Sequence, residues 1–171
     1  MTRRWVVSGA ALLAAGFLIF AAAPTKNVQV DEETRQGVRA MLDKHDQAMT
    51  EHNLEAVMDT YVQGPRTVVM GTGPGELWVG PAEIREAYKH FFEYFHKGGQ
   101  GFQYSTVTAG ARRGAAWLSA MGNITLSKGG QKREVPMNIS AVMVREGDQW
   151  RIQQMHFSTL VGPGEPPAKA Q

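Results

Sequence analysis

Two histidines stand where an imidazole could move protons. His156 and Ser158 lie two apart in Q-W-R-I-Q-Q-M-H-F-S, an alternating stretch that predicts a strand. Residues two apart on a strand share a face, which here would also carry Trp150, Ile152 and Gln154. Trp150 and Ile152 read as core, so this face is expected to be the concave one, beneath the helices. A histidine there suits general acid or base chemistry near neutral pH. The structural alternative is that His156 bonds the backbone or Ser158 and shapes a pocket floor. His45 lies between Met41 and Met49 at helical spacing and could face His156 across a cavity, giving two imidazoles for proton transfer. Its structural alternative is a buried, satisfied histidine. Asp46, one residue on, is expected to face solvent.

Glu76 and Trp78, in E-L-W, share a strand face. Trp78 could cover a pocket mouth. Glu76 could hydrogen-bond a ligand or a turn amide, and the glycines before it favour the turn. Tyr61, Tyr88, Phe91, Phe92, Tyr104, Trp117 and Met121 are expected wall residues, first as core and only then as a ligand box. Other chemistries lack their signatures. The five histidines, His45, His52, His90, His96 and His156, show no paired metal spacing. Ser158 has no nucleophile elbow, and the glycine-rich turn has neither the lysine nor the spacing of a phosphate loop. Asn123-Ile-Thr125 and Asn138-Ile-Ser140 are formal glycosylation sequons in the middle of predicted strands. No cofactor is called for.

The elements that must hold these residues are legible. Acidic residues from Asp31 open a helix whose inner stripe is Val38, Met41, Leu42, His45, Met49 and His52. Asn53 caps a second helix, with Leu54, Val57, Met58 and Tyr61 inward and Gly64-Pro65 as its stop. Gly71, Gly73, Pro74 and Gly75 allow a tight reversal between two short strands. Pro81 begins a third helix faced by Ile84, Ala87, Tyr88, Phe91, Phe92 and Phe95, and Gly98-Gly99 ends it. An entry strand and three long antiparallel strands follow, near Phe102–Ala109, Ala115–Ser127, Lys132–Arg145 and Gln149–Leu160. Their turns fall at Arg113-Gly114, Gly129-Gly130 and Gly147-Asp148. The order ααββαββββ predicts an α+β fold, with a curved antiparallel sheet wrapped on helices.

Composition bounds the rest. The 171 residues suit one domain, from 27 to 162, between a leader with its linker (1–26) and a disordered tail (163–171). Thr2-Arg3-Arg4 precedes an almost wholly apolar run from Trp5 to Ala23, which reads as an export signal or an N-terminal membrane anchor. Either leaves the domain outside the inner membrane, periplasmic or secreted. The chain has no cysteine, so no disulfide framework or thiolate chemistry is available. Its formal charge is +2, but without Arg3 and Arg4 it carries 16 basic and 16 acidic side chains. No basic stripe with interleaved aromatics is present, so nucleic acid is not an expected partner. Membrane contact is expected only through the N-terminal segment.

G-T-G-P-G-E-L-W-V-G-P and G-D-Q-W-R-I-Q-Q-M-H-F-S, with the element order, resemble SnoaL-like domains of the NTF2-like superfamily across about Asp31 to Gly162. The resemblance implies a cone with a pocket at its open end. It also implies kinship with steroid isomerases, polyketide cyclases, dehydratases, epoxide hydrolases and non-catalytic binding domains, a range from which fold cannot select. Ketosteroid isomerases use a helix tyrosine, a basic aspartate and a second, protonated aspartate. The corresponding positions fall near His45, near Met70, and near Asn138 or Ser140. No aspartate lies between Asp59 and Asp148, so that mechanism is not expected.

These observations support an exported domain binding a small, mostly apolar molecule, with Tyr61, Met70, Glu76, Trp78, Tyr88, Phe92, Tyr104, Trp117, Met121, Asn138, Ser140 and Ser158 around the pocket. The alternative is a lyase, isomerase or hydrolase using His156 with His45 or Glu76. A further alternative is a membrane-tethered envelope assembly module. A homodimer through the outer sheet face is expected, because Met137, Ile139, Ala141 and Met143 alternate with Asn138, Ser140, Val142 and Val144, making both faces of that strand rather apolar.

Overall fold

The computed structural model describes residues 30–97 and 101–159. The expected leader and the tail therefore lie outside the described residues. Among those described, no helix is long and apolar enough to cross a membrane.

Helix α1 spans Glu32–Thr50 and starts where Asp31 accepts the Thr34 amide at 2.8 Å. Helix α2, Leu54–Asp59, is capped in the same way by Asn53, whose Oδ1 accepts from the Ala56 amide at 3.1 Å. Strands β1 (Val68–Met70) and β2 (Leu77–Val79) form a short hairpin, and α3 (Gly80–Tyr94) follows immediately. Gly80 takes φ +81°, a left-handed value that a glycine adopts without strain, so the chain turns from strand into helix within one residue. The long strands are β3 (Gly101–Arg112), β4 (Ala115–Lys128), β5 (Gln131–Glu146) and β6 (Gln149–Thr159). Strand β3 is a full member of the meander rather than a short entry.

The six strands form one sheet in the order β2-β1-β6-β5-β4-β3. All pairings are antiparallel except β1 with β6, which is parallel, so the sheet is mixed. The helices lie on one face, as the α+β reading requires. Helix α1 approaches β6 closely because Gly37 has no side chain: a Cβ there would lie 2.6 Å from the Trp150 ring. Between the layers Val57, Tyr61, Ile84, Met143 and Ile152 are fully buried. Each such side chain contributes roughly 1.5–3 kcal/mol through lost contact with water.

Two β-bulges set which side chains face the helices. In β3, Tyr104 pairs with Gly122 and Thr106 with Met121, leaving Ser105 as the extra residue. In β6, Ile152 pairs with Met143 and Gln154 with Val142, leaving Gln153 over. The Gln153 side chain is held by the Arg66 carbonyl, to which it donates at 2.9 Å. Beyond this bulge the inner residues are Met155 and Phe157, paired with Ala141 and Ile139.

Candidate functional site

The expected concave placement of His156 and Ser158 is overturned by the Gln153 bulge. One extra residue reverses the facing of everything after it. His156 pairs with Ser140 and Met70, and Ser158 with Asn138. All five belong to the outer face, opposite Met155 and Phe157. His156 and His45 therefore lie on opposite sides of the sheet and cannot share a substrate. The outer face also carries Leu77, Val79, Trp117 and Met121, all exposed and large. Trp117 and Met121 thus do not line the space beneath the helices, although Trp117 borders the groove described below.

Beneath the helices, His45, Tyr61 and Tyr88 meet in a buried cluster. Tyr61 comes from the exit of α2, where the Val62 amide donates to the Ile152 carbonyl and the Ile152 amide donates to the Thr60 carbonyl. The Tyr61 and Tyr88 hydroxyls hydrogen-bond each other, Tyr61 Oη lies 3.8 Å from Met155 Sδ, and His45 Nε2 lies 3.5 Å from Tyr61 Oη. On its other side, His45 Nδ1 lies 3.3 Å from Asp46 Oδ1. With the imidazole proton on Nδ1, donors run in one direction, from Tyr88 through Tyr61 and His45 to Asp46. Burial pushes both phenols above their usual range, most strongly for Tyr61, where Tyr88 adds to the effect. Both therefore stay neutral and available as donors.

Asp46 is the outer end of this chain. Its side chain is 46 % exposed, and its Oδ2 accepts from the Tyr104 hydroxyl at 3.2 Å. It does not simply face solvent. It stands at the end of a groove of about 360 Å³ between α1 and the β3–β4 edge. The walls are Val30, Val38, Leu42, Val107, Ala109 and Leu118, with Arg35, Arg39 and Asp43 along the rim. Val107 is 55 % exposed and Tyr104 45 %, because no helix covers that part of the concave face. Volumes of roughly 300–1,000 Å³ are usual for small-molecule sites, and this groove sits at the lower end.

A family model for the SnoaL-like domain matches residues 11–162. The chain belongs to the SnoaL-like domain family. No curated protein matches it. Among solved structures, it is similar to a proposed dehydratase of the NTF2-like family from Streptomyces avermitilis, at 18% identity and TM-score 0.64, over 74% of this chain and 96% of that one. It is similar to a proposed aromatic ring hydroxylase from Novosphingobium aromaticivorans, at 18% and 0.67, over 78% and 94%. It also resembles a proposed scytalone dehydratase from the same organism, at 11% and 0.64, over 80% and 95%. At these identities the likeness shows a shared fold.

This SnoaL-like domain has no aspartate near the β1 and β5 positions that the steroid isomerase resemblance marks. Met70, Asn138 and Ser140 point outward, while Val69 and Ile139 occupy the neighbouring inward positions. The inner face thus has no carboxylate on β1 or β5 at that level. Glu76 is committed to its turn: its Oε2 accepts the Gly73 amide at 2.7 Å, and a Cβ on Gly71 would lie 2.3 Å from that same oxygen. Trp78 packs half-buried against the core opposite Val69. Phe92 stacks on His52, with ring centroids 4.5 Å apart. Among the described residues, no group of three or more His, Asp or Glu side chains could hold a metal.

Of the site residues expected from sequence, the structure gathers His45, Tyr61 and Tyr88, with Tyr104 reaching the same chain through Asp46. Asp46 is the groove residue that the sequence reading left out of the site, although its side chain is half exposed as expected. A signal for it existed: Val38, Leu42, Asp46 and Arg35 repeat at three and four residues, forming a second stripe beside the core stripe of Met41, His45 and Ala48.

Proposed function

We propose that this SnoaL-like domain is exported and binds a small, mostly apolar molecule in the groove between α1 and the β3–β4 edge. The single observation carrying this is an apolar trough that ends at one polar device, the Asp46–Tyr104 pair. Export is supported by the basic and apolar N-terminal stretch. Replacing Leu42 with Trp fills the groove. Binding of a hydrophobic fluorescent probe should be lost in Leu42→Trp while the circular dichroism spectrum is kept; equal binding by both proteins removes the proposal.

The same proposal includes a homodimer through the outer sheet face. By register, that face carries no Asp, Glu, Lys or Arg across its middle, from Leu77 and Val79 through Met70, His156, Ser140 and Ser119 to Thr106. Depletion of charge is the compositional mark of an interface core. A clean monomer by light scattering at micromolar concentration removes this part.

A second reading, proton-transfer catalysis of the lyase or isomerase kind, is favoured by the unbroken donor chain from Tyr88 to Asp46. Asp46 is the end of the chain that meets the groove, His45 acts through it, and neither His156 nor Glu76 takes part. Turnover of any substrate that survives His45→Ala would exclude it.

A further inference from the structure

We infer that the groove beside α1 selects apolar molecules carrying an ammonium head, with the Asp46 carboxylate as the anchor. This rests on the groove being a ligand site. Four charged side chains border it, Arg35, Arg39, Asp43 and Asp46. Arg35 pairs with Glu32 at 2.7 Å and Arg39 with Asp43 at 3.6 Å. Among the described residues no Lys or Arg pairs with Asp46, whose only potentially cationic neighbour is the His45 ring. The groove therefore has one charge without a fixed counter-charge, and it is negative.

Position strengthens the case. Asp46 is the last α1 residue along the groove, and eight residues of helix separate it from Val38, about 12 Å of wall that includes Leu42. A ligand with its head at Asp46 keeps its body on that wall, a further turn away from Arg35. A carboxylate offers about four acceptor positions. Tyr104 and His45 occupy one on each oxygen, so donors from a ligand can still be accepted. A ligand carboxylate would meet Asp46 as a like charge, and an alcohol would gain a hydrogen bond without the Coulomb attraction.

Three probes sharing one body separate these cases: naphthylmethylamine, naphthylmethanol and naphthoate, titrated calorimetrically into the full chain at neutral pH. The amine should bind roughly fivefold tighter than the alcohol, an effect limited by the half-exposure of Asp46. The carboxylate should bind most weakly. Raising the salt concentration should narrow the gap between amine and alcohol in the unaltered protein, a readout independent of any variant. Asp46→Asn should bring amine and alcohol to equal affinity. If the three probes bind equally, if the carboxylate is preferred, or if the amine preference survives Asp46→Asn, the ammonium inference fails and the groove remains a ligand site. If no probe binds, or if Leu42→Trp binds them unchanged, the groove reading fails and takes this inference with it.

Discussion

The two halves of the concave face are built differently. Under α2 and α3, strands β1, β6 and β5 are sealed: Tyr61, Ile84 and Ile152 have 0 % exposure. Under the first turns of α1, strands β3 and β4 are only partly covered, and a groove remains. The closed half spends its polar groups on one another, in the Tyr88–Tyr61–His45 chain. The open half presents its polar group, Asp46, to an apolar trough. The two are joined at that residue. A fold that leaves one half uncovered gives up burial there, and the closed half must carry most of the stability.

The largest effect that tests this contrast is a pair of truncations. Ile152→Ala should cost about 2–5 kcal/mol by cavity formation. Val107→Ala, in the open half, should stay within about 0.5 kcal/mol. Urea denaturation measures both, and comparable losses would remove the distinction.

A smaller effect probes the buried phenols. Their raised pKa values mean that the folded protein holds these protons while the unfolded chain releases them near pH ~10. Their contribution is fully present below the unfolded value and falls as pH rises through and above it. Tyr61→Phe should cost about 1 kcal/mol at neutral pH through the lost hydrogen bond. It should also flatten the alkaline decline, which thermal melts between neutral pH and pH ~11 would show. An unchanged alkaline slope would mean the cluster is open to water.

The smallest effect lies at the rim joining α1 to β6. Lys44 hydrogen-bonds Asp59 and lowers its pKa, with help from Arg151 at 3.3 Å. That stabilisation is present above the unfolded carboxylate value, near ~3.9, and is lost as pH falls through the lower folded value. Asp59 is half exposed, so Asp59→Asn should cost no more than about 1 kcal/mol at neutral pH. The variant and parent should converge in acid denaturation; a gap that persists at low pH would assign the effect to packing.

Most of the fold was legible because its signals are local. Asp31 and Asn53 cap their helices within three residues, Gly129 and Gly130 both take positive φ at their hairpin, and Ile84 and Tyr88 mark the buried stripe of α3 at one turn's spacing. The candidate site was legible only in part. His45, Tyr61 and Tyr88 were expected inward from helical spacing and are inward. His156, Ser158, Asn138, Ser140 and Met70 face the other way, because strand alternation assumes an unbroken register.

The sequence alone determined the element order, the caps and turns, the family, and the absence of inner carboxylates where a steroid isomerase needs them. Only the tertiary structure decided which face His156 occupies, where the open groove lies, and that Asp46 joins it to the buried cluster. The physical reason is range. Caps, turns and periodicity act within one turn or one strand pair, whereas the Gln153 bulge exists only through the pairing of β6 with β5. The groove exists only because α1 covers β3 and β4 incompletely.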